Sequence, residues 1–266
     1  MHSKKNVRCI CIVIAAFFAF IILLTYMSNK SFRWSRNVCD AIRLGDTDKA
    51  LLLIDKGICK GYNLNTLSEH PSFLWTLLES TPQTPLQAAC KKGNYAVAEK
   101  LLENGAEPVS ADGGIDTEPL LCVLERSYLP NDKEIVQLLI DYGADLSCDN
   151  GSRNNLLTNA AFRAPRDFDA EKDAKTGTHP YDETVARGIT EVFLLLADGN
   201  DGDTANEAGR TPLHCAAMME NWYLVRVLVA EFSYSLDAKD MNGNTAYDLA
   251  VENKAPHDIL NILKCQ

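Results

Sequence analysis

A short pattern that recurs along the chain limits the folds it can adopt. Residues 211–217 read TPLHCAA and residues 84–90 read TPLQAAC, and an apolar run follows each stretch. Six equivalent units start near residues 36, 84, 118, 155, 211 and 245, at spacings of 48, 34, 37, 56 and 34 residues. The copies at 36 and 155 are the weakest, and the two long spacings place inserts at 58–83 and 163–184. One such unit cannot bury its own apolar faces, so the repeat predicts a stacked solenoid.

The residues within one unit predict two packed helices. Thr211 can accept hydrogen bonds from the free N–H groups of a first helical turn. Pro212 suits the first helical position because its missing N–H costs nothing there. The helix then presents a narrow face made of Leu213, Ala216 and Ala217. A second helix has apolar residues at spacings of three and four, namely Leu224, Val225, Leu228 and Val229.

Four short motifs in these units resemble the ankyrin repeat, whose unit is a β-turn followed by two antiparallel helices. They are TPLH at 211–214, GAD at 143–145, GN at 93–94 and NGNT at 242–245. The resemblance covers roughly residues 36–264. It implies an all-α solenoid of about six helix-turn-helix units with β-hairpin turns, in a repeat domain that we place at 36–266. It also implies a non-enzymatic scaffold or adaptor that binds another protein through its hairpin tips and the exposed sides of its first helices.

The candidate partner-binding residues lie at predicted hairpin tips and on two tryptophans. The tips are placed near Asp112, Asn150, Glu207 and Met241. Trp222 and Trp75 are candidate anchors, because interface energy concentrates on such side chains. Trp75 lies on a short apolar helix predicted in the first insert, which packs back on the solenoid or, if exposed, contacts a partner or the bilayer surface.

Two further expectations come from the family pattern. His214 suggests a general base, but the resemblance implies a hydrogen-bonding strut that ties its helix to the preceding hairpin. Glycines are expected where second helices end, since that position favours left-handed backbone. They stand at Gly57, Gly105, Gly143 and Gly199. Phe232 replaces this glycine in the fifth unit, so an irregular helix end is predicted there.

Residues 9–27 are apolar and carry no charge. A helix of this length covers about 28 Å, close to the hydrocarbon thickness of a bilayer. We predict a single-pass transmembrane helix that is not cleaved, because a signal peptide has a shorter apolar core. A signal peptide and a buried core helix are the alternatives. A basic flank at 1–8 precedes this anchor, and a basic juxtamembrane linker is predicted at 28–35.

The side of the membrane on which the repeat domain lies is less constrained. Basic residues flank the apolar run on both sides, and the N-terminal amine slightly favours an outside repeat domain. The cysteines favour a cytoplasmic repeat domain instead. The body holds seven cysteines, an odd number without a CxxC pair, and free thiols suit a reducing compartment. Four of these, Cys39, Cys90, Cys122 and Cys215, are predicted to be small core residues too far apart for disulfides. We expect a cytoplasmic repeat domain, with an extracytoplasmic binding or protective, immunity-like protein as the alternative.

Charge and motifs exclude several other functions. Residues 1–36 carry a charge of +6 and the remainder carries −16, and such an acidic body repels nucleic acid. No Gly-rich phosphate loop, GxSxG elbow or Cys/His nucleophile pair is present, so we predict no enzyme and no cofactor. The acidic insert at 163–184 could hold a hard cation and carry a metal-dependent activity. It lacks EF-hand spacing, so a solvated loop without a metal is predicted.

Overall fold

The computed structural model describes residues 30–68, 83–109, 118–146, 156–163, 182–197, 205–232 and 234–264. Over these ranges the secondary structure is helical and no strand is assigned. The predicted anchor at 9–27 lies outside them, as does most of both inserts. Within the described ranges no helix is long and apolar enough to cross a membrane.

Twelve helices form in the described parts of the chain. They are α1 (Lys30–Arg43), α2 (Thr47–Cys59), α3 (Pro85–Lys92), α4 (Tyr95–Glu103), α5 (Pro119–Leu124), α6 (Asp132–Asp141), α7 (Leu156–Ala161), α8 (Glu183–Ala197), α9 (Pro212–Met218), α10 (Trp222–Glu231), α11 (Ala246–Glu252) and α12 (His257–Leu263). The later first helices, from α3 onward, begin one residue after the repeat positions 84, 118, 155, 211 and 245. The predicted helical pairs are therefore present.

The helices stack in two layers. The odd-numbered helices contact one another in chain order, and so do the even-numbered helices. Each odd helix also contacts the even helix that follows it. One continuous core of buried apolar side chains runs between the layers, and its largest fully buried member is Phe193. Each repeat thus buries its apolar faces against its neighbours, as a solenoid requires.

Side-chain caps explain where several of the described helices begin. Thr84 accepts from the Gln87 N–H at 3.2 Å, and the Gln87 amide accepts from the Thr84 N–H at 2.6 Å. Together these bonds form a capping box that satisfies two free donors of the first turn. Three of the second helices, α2, α4 and α10, begin after Asp46, Asn94 and Asn221, whose side chains accept from the N–H three residues on.

The first repeat starts earlier than the sequence pattern indicates. The sequence predicts a juxtamembrane linker at 28–35, but α1 begins at Lys30. Phe32 and Trp34 supply the reason, because both are buried in the first repeat. The Trp34 indole donates from Nε1 to the Leu53 carbonyl at 2.7 Å and so joins α1 to α2.

Gly57 does not end a helix, contrary to the prediction. It lies inside α2, and a Cβ built there would overlap the Trp34 indole. The left-handed glycine at this end is Gly61, with φ 65°. Gly105 and Gly143 do have left-handed backbone, at φ 91° and 88°, whereas Gly199 lies outside the described ranges.

The irregular end predicted at Phe232 is confirmed. Its backbone is extended, with φ −119° and ψ 145°, and α10 stops at Glu231. The Phe232 ring meets the Phe193 ring edge-on, with centroids 5.9 Å apart. An apolar side chain that packs between repeats has replaced the glycine, so the chain leaves the helix without a left-handed turn.

The four core cysteines are buried and free, as predicted. Burial raises the pKa of Cys39 and Cys215 to about 12 and that of Cys122 to about 11. Such thiols stay protonated and act as small apolar side chains. Cys59, at the end of α2, is exposed.

Both inserts leave the solenoid at fixed points. At the first, the Ser68 N–H donates to the Gln83 carbonyl at 2.8 Å, so the chain departs and returns at one place. Ser35 is fully buried, and its hydroxyl donates a hydrogen bond to the Thr66 carbonyl at 2.6 Å.

The second insert starts at a buried ion cluster. Asp132 has no exposed side-chain surface and accepts from Arg126 Nη2 at Oδ1 and from Arg163 Nη2 at Oδ2, both at 2.5 Å. The Leu129 N–H donates to the same carboxylate at 3.0 Å. The Arg163 guanidinium lies 5.5 Å from the centre of the Tyr128 ring. This cluster joins the third repeat to the end of α7.

Candidate protein-binding surface

The two fully described hairpin tips have the same construction. Asn206 Oδ1 accepts from the N–H groups of Ala208 and Arg210, both at 3.0 Å. Asp240 Oδ1 accepts in the same way from Asn242 at 2.9 Å and Asn244 at 3.0 Å. A side-chain oxygen at the first position therefore closes each turn and holds its shape before any partner arrives.

Left-handed glycines complete these turns and let the hairpins approach each other. Gly209 and Gly243 have φ 70° and 82°. A Cβ on Gly209 would lie 3.2 Å from the Met241 backbone nitrogen. The Met241 N–H instead donates to the Ala208 carbonyl at 2.9 Å. The two tips are thus bonded to each other through the backbone.

A charged contact also links the hairpins. Arg210 Nε lies 3.6 Å from Asp240 Oδ2, and the Asp240 side chain is 1% exposed. Burial acts to raise the pKa of Asp240, but the N–H groups of Asn244 and Asn242, together with Arg210, outweigh it and the pKa is lowered. The carboxylate therefore stays charged and keeps accepting the backbone hydrogen bonds that shape the tip.

His214 ties its helix to the hairpin that follows, not to the preceding one as predicted. Its Nδ1 faces the Thr211 hydroxyl at 2.8 Å and the Thr211 N–H at 3.3 Å. Its Nε2 faces two carbonyls, Ala238 at 3.0 Å and Asn244 at 3.2 Å. Two carbonyls require a donor, so the neutral tautomer with hydrogen on Nε2 fits this site. Burial lowers the pKa of His214 despite these carbonyls.

The structure brings two of the predicted contact residues together. Glu207 and Met241 are exposed at the tips of adjacent, mutually bonded hairpins, and Met241 is 79% exposed. Asp112, Asn150 and Trp75 lie outside the described residues. We use the name hairpin edge for the two tips, residues 206–210 and 240–244, on which Glu207 and Met241 are exposed.

Comparison with known proteins identifies the repeat. A family described as "Ankyrin repeats (3 copies)" matches residues 184–266, and one described as "Ankyrin repeat" matches residues 83–113. The chain therefore contains ankyrin repeats. The matched segments include the fifth and sixth ankyrin units, which form the hairpin edge.

A curated relative of this ankyrin protein is a transient receptor potential cation channel subfamily A member 1 homolog from Caenorhabditis elegans. The two are 24% identical over 188 residues. The match covers 66% of this chain and 15% of the relative, so this chain spans a small part of that protein's length.

Trp222, a predicted partner-binding anchor, is buried rather than exposed. It is the first residue of α10, is 8% exposed and belongs to the ankyrin core. Asn221 before it is fully buried and caps the helix, which directs this turn into the repeat stack. Little of the indole is therefore available to a partner in this structure.

Asn206 and Asp240 build the ankyrin hairpin tips but are not among the predicted contact residues. A signal for them exists, because each is followed by glycine three residues later, in NEAG at 206–209 and DMNG at 240–243. An Asn or Asp that closes a turn before a left-handed glycine has this spacing.

Shallow grooves lie on the layer of even-numbered helices, and two of them are lined by described residues. They lie on either side of α6 and have volumes of about 320 and 310 Å³. Lys133 lines both, and its ammonium binds the Glu191 carboxylate of α8 at 2.9 Å. Within the described ranges no group of three His, Cys, Asp or Glu side chains could hold a metal ion. Most of the acidic insert at 163–184 lies outside those ranges.

Proposed function

We propose that this protein is a membrane-anchored ankyrin scaffold or adaptor that binds another protein through its hairpin edge. The observation that carries the proposal is the pair of mutually bonded hairpin tips, which hold Glu207 and Met241 exposed beside each other. The proposal involves no enzymatic activity, cofactor or metal.

The rigidity of the hairpin edge supports a role in binding. Asn206, Asp240 and His214 fix the two turns by hydrogen bonds within the protein. A surface fixed in advance loses little conformational entropy when a partner docks. A methionine as exposed as Met241 buries apolar area on binding and adapts to the partner's shape.

The rest of the proposal concerns location. The apolar run at 9–27 supports a single membrane span, and the free thiols of the body support a cytoplasmic repeat domain. The charge of −16 beyond residue 36 supports a protein partner rather than nucleic acid. The channel activity in the relative's name is not part of the proposal, because the match covers only 15% of that protein.

Capture of partners from native membranes tests the hairpin edge. The test variant combines Glu207→Lys with Met241→Glu. The matched control combines Glu103→Lys with Leu52→Glu, which makes the same chemical changes at exposed positions on α4 and α2. We expect the test variant to lose at least one partner by more than about tenfold, the effect of roughly 1.4 kcal/mol. Equal recovery by both variants and the unmodified chain would refute the proposal.

Thiol labelling tests the side of the membrane. Cys59 is exposed, while Cys39, Cys90, Cys122 and Cys215 are buried. An impermeant maleimide added to intact cells should leave Cys59 unlabelled until the membrane is opened. Labelling of Cys59 on intact cells, absent in a Cys59→Ser variant, would instead favour the extracytoplasmic alternative.

A further inference from the structure

The exposed face of α1 carries positive charge at its start. Lys30, Arg33, Asn37 and Asp40 are exposed and follow one another at spacings of three and four residues. They therefore form one stripe along the helix. The first half of this stripe is Lys30 and Arg33, and the first turn of α1 holds no acid.

The basic side chains of α1 differ in whether they contact other side chains of the protein. Asp40 pairs with Arg43 at 3.2 Å near the end of the helix. The Arg36 guanidinium lies 5.4 Å from the centre of the Phe32 ring and is half-buried. Among the described residues, neither Lys30 nor Arg33 forms an ion pair. Two cationic groups thus stand exposed on a protein whose remainder beyond residue 36 carries −16.

The chain length between the apolar run and α1 limits where these groups can lie. Two residues, Ser28 and Asn29, lie between Met27 and Lys30, so the two ends are three residue steps apart. Such a segment spans at most about 11 Å when fully extended. The polar headgroup layer on each side of a bilayer is about 5–8 Å thick. If residues 9–27 cross the membrane, the start of α1 must therefore lie within reach of the headgroups.

We infer that Lys30 and Arg33 bind the headgroups of anionic phospholipids and so hold the first ankyrin repeat against the membrane surface. The inference rests on the proposed membrane anchor. Charge complementarity selects this occupant, because anionic lipids attract lysine and arginine side chains that lie within a Debye length. Anionic lipids are enriched in the cytoplasmic leaflet, which agrees with the proposed cytoplasmic repeat domain.

Hydrogen exchange of the full chain in lipid nanodiscs tests this contact. The discs contain phosphatidylcholine alone or phosphatidylcholine mixed with phosphatidylserine, and the observed segment is residues 30–43. We expect slower exchange of α1 in the anionic discs. The test variant combines Lys30→Gln with Arg33→Gln. In this variant the ratio of α1 exchange rates between neutral and anionic discs should fall by about fivefold for each charge removed. The neutral discs show whether the variant still folds.

The control combines Lys49→Gln with Lys56→Gln, two exposed lysines on α2 of the same repeat. These changes should leave the lipid dependence of α1 intact. Exchange that is equal in both lipids, or that the Lys30 and Arg33 changes do not alter, would overturn the inference. Alkaline carbonate extraction of the same preparations separates this failure from failure of the anchor. A chain that stays in the membrane keeps the anchor proposal, whereas a chain that is extracted ends both.

Discussion

The buried carboxylate of Asp132 allows a sharp prediction about stability. Replacing Asp132 with asparagine keeps the volume but removes the charge that faces Arg126 and Arg163. The Arg163 side chain is only 4% exposed, and burial already lowers its pKa. Removing one partner of such a buried pair leaves an uncompensated charge and costs about 3–5 kcal/mol. Since a domain is stable by about 5–15 kcal/mol, this loss is a large fraction of the total.

Urea unfolding of the full chain, followed by circular dichroism, measures this loss. The Arg187–Glu183 pair supplies the control, because its nitrogen and oxygen lie 2.8 Å apart but both side chains are more than half exposed. Glu183→Gln should cost less than about 0.5 kcal/mol. A double change of Asp132→Asn with Arg163→Met should cost less than the sum of the two single changes, because the second change removes the stranded charge. A loss below about 1 kcal/mol for Asp132→Asn alone would refute the reasoning.

Three further changes test other parts of the structure. The urea midpoint of unfolding should fall as the pH is lowered from about 7 to about 5. The pKa of His214 is lower in the folded chain, so the unfolded chain takes up the proton first. His214→Gln should make the urea midpoint less dependent on pH. Lys254→Gly should stabilise the chain by about 0.5–1 kcal/mol, because Lys254 has φ 55° where glycine is favoured; Lys254→Ala should give no gain. Gly188→Ala should lower the melting temperature although alanine favours helices, because its Cβ would overlap the Tyr128 hydroxyl. Calorimetry showing a stabilised Gly188→Ala chain would contradict that contact.

The repeat pattern predicted the fold well because its signals are local. Thr84, Thr211 and Thr245 stand at the starts of helices as N-cap residues, and Pro85 and Pro212 occupy the first helical positions. These residues mark where a helix pair begins, because each unit repeats the same local chemistry even where an insert lengthens the spacing. The exposed hairpin tips at Glu207 and Met241 follow from the same spacing.

Contacts between residues that are distant in sequence were harder to predict, because spacing along the chain does not show which neighbour a side chain meets. His214 was assigned to the wrong hairpin for this reason. Gly57 has the spacing of a helix end, yet Trp34, 23 residues earlier in the sequence, is the side chain that requires the glycine. Asp132 and Arg163 are likewise 31 residues apart.

Photo-crosslinking at the hairpin edge is the most direct test of the proposed function. A photoreactive amino acid replaces Met241, and in a parallel chain it replaces Leu52, which is also exposed but lies on α2 of the first repeat. After irradiation of native membranes, we expect a defined protein adduct from position 241 and none of the same mass from position 52. The Glu207→Lys change in the same chain should weaken that adduct. Adducts that are identical at both positions, or absent at position 241, would contradict the claim that the hairpin edge binds a protein partner.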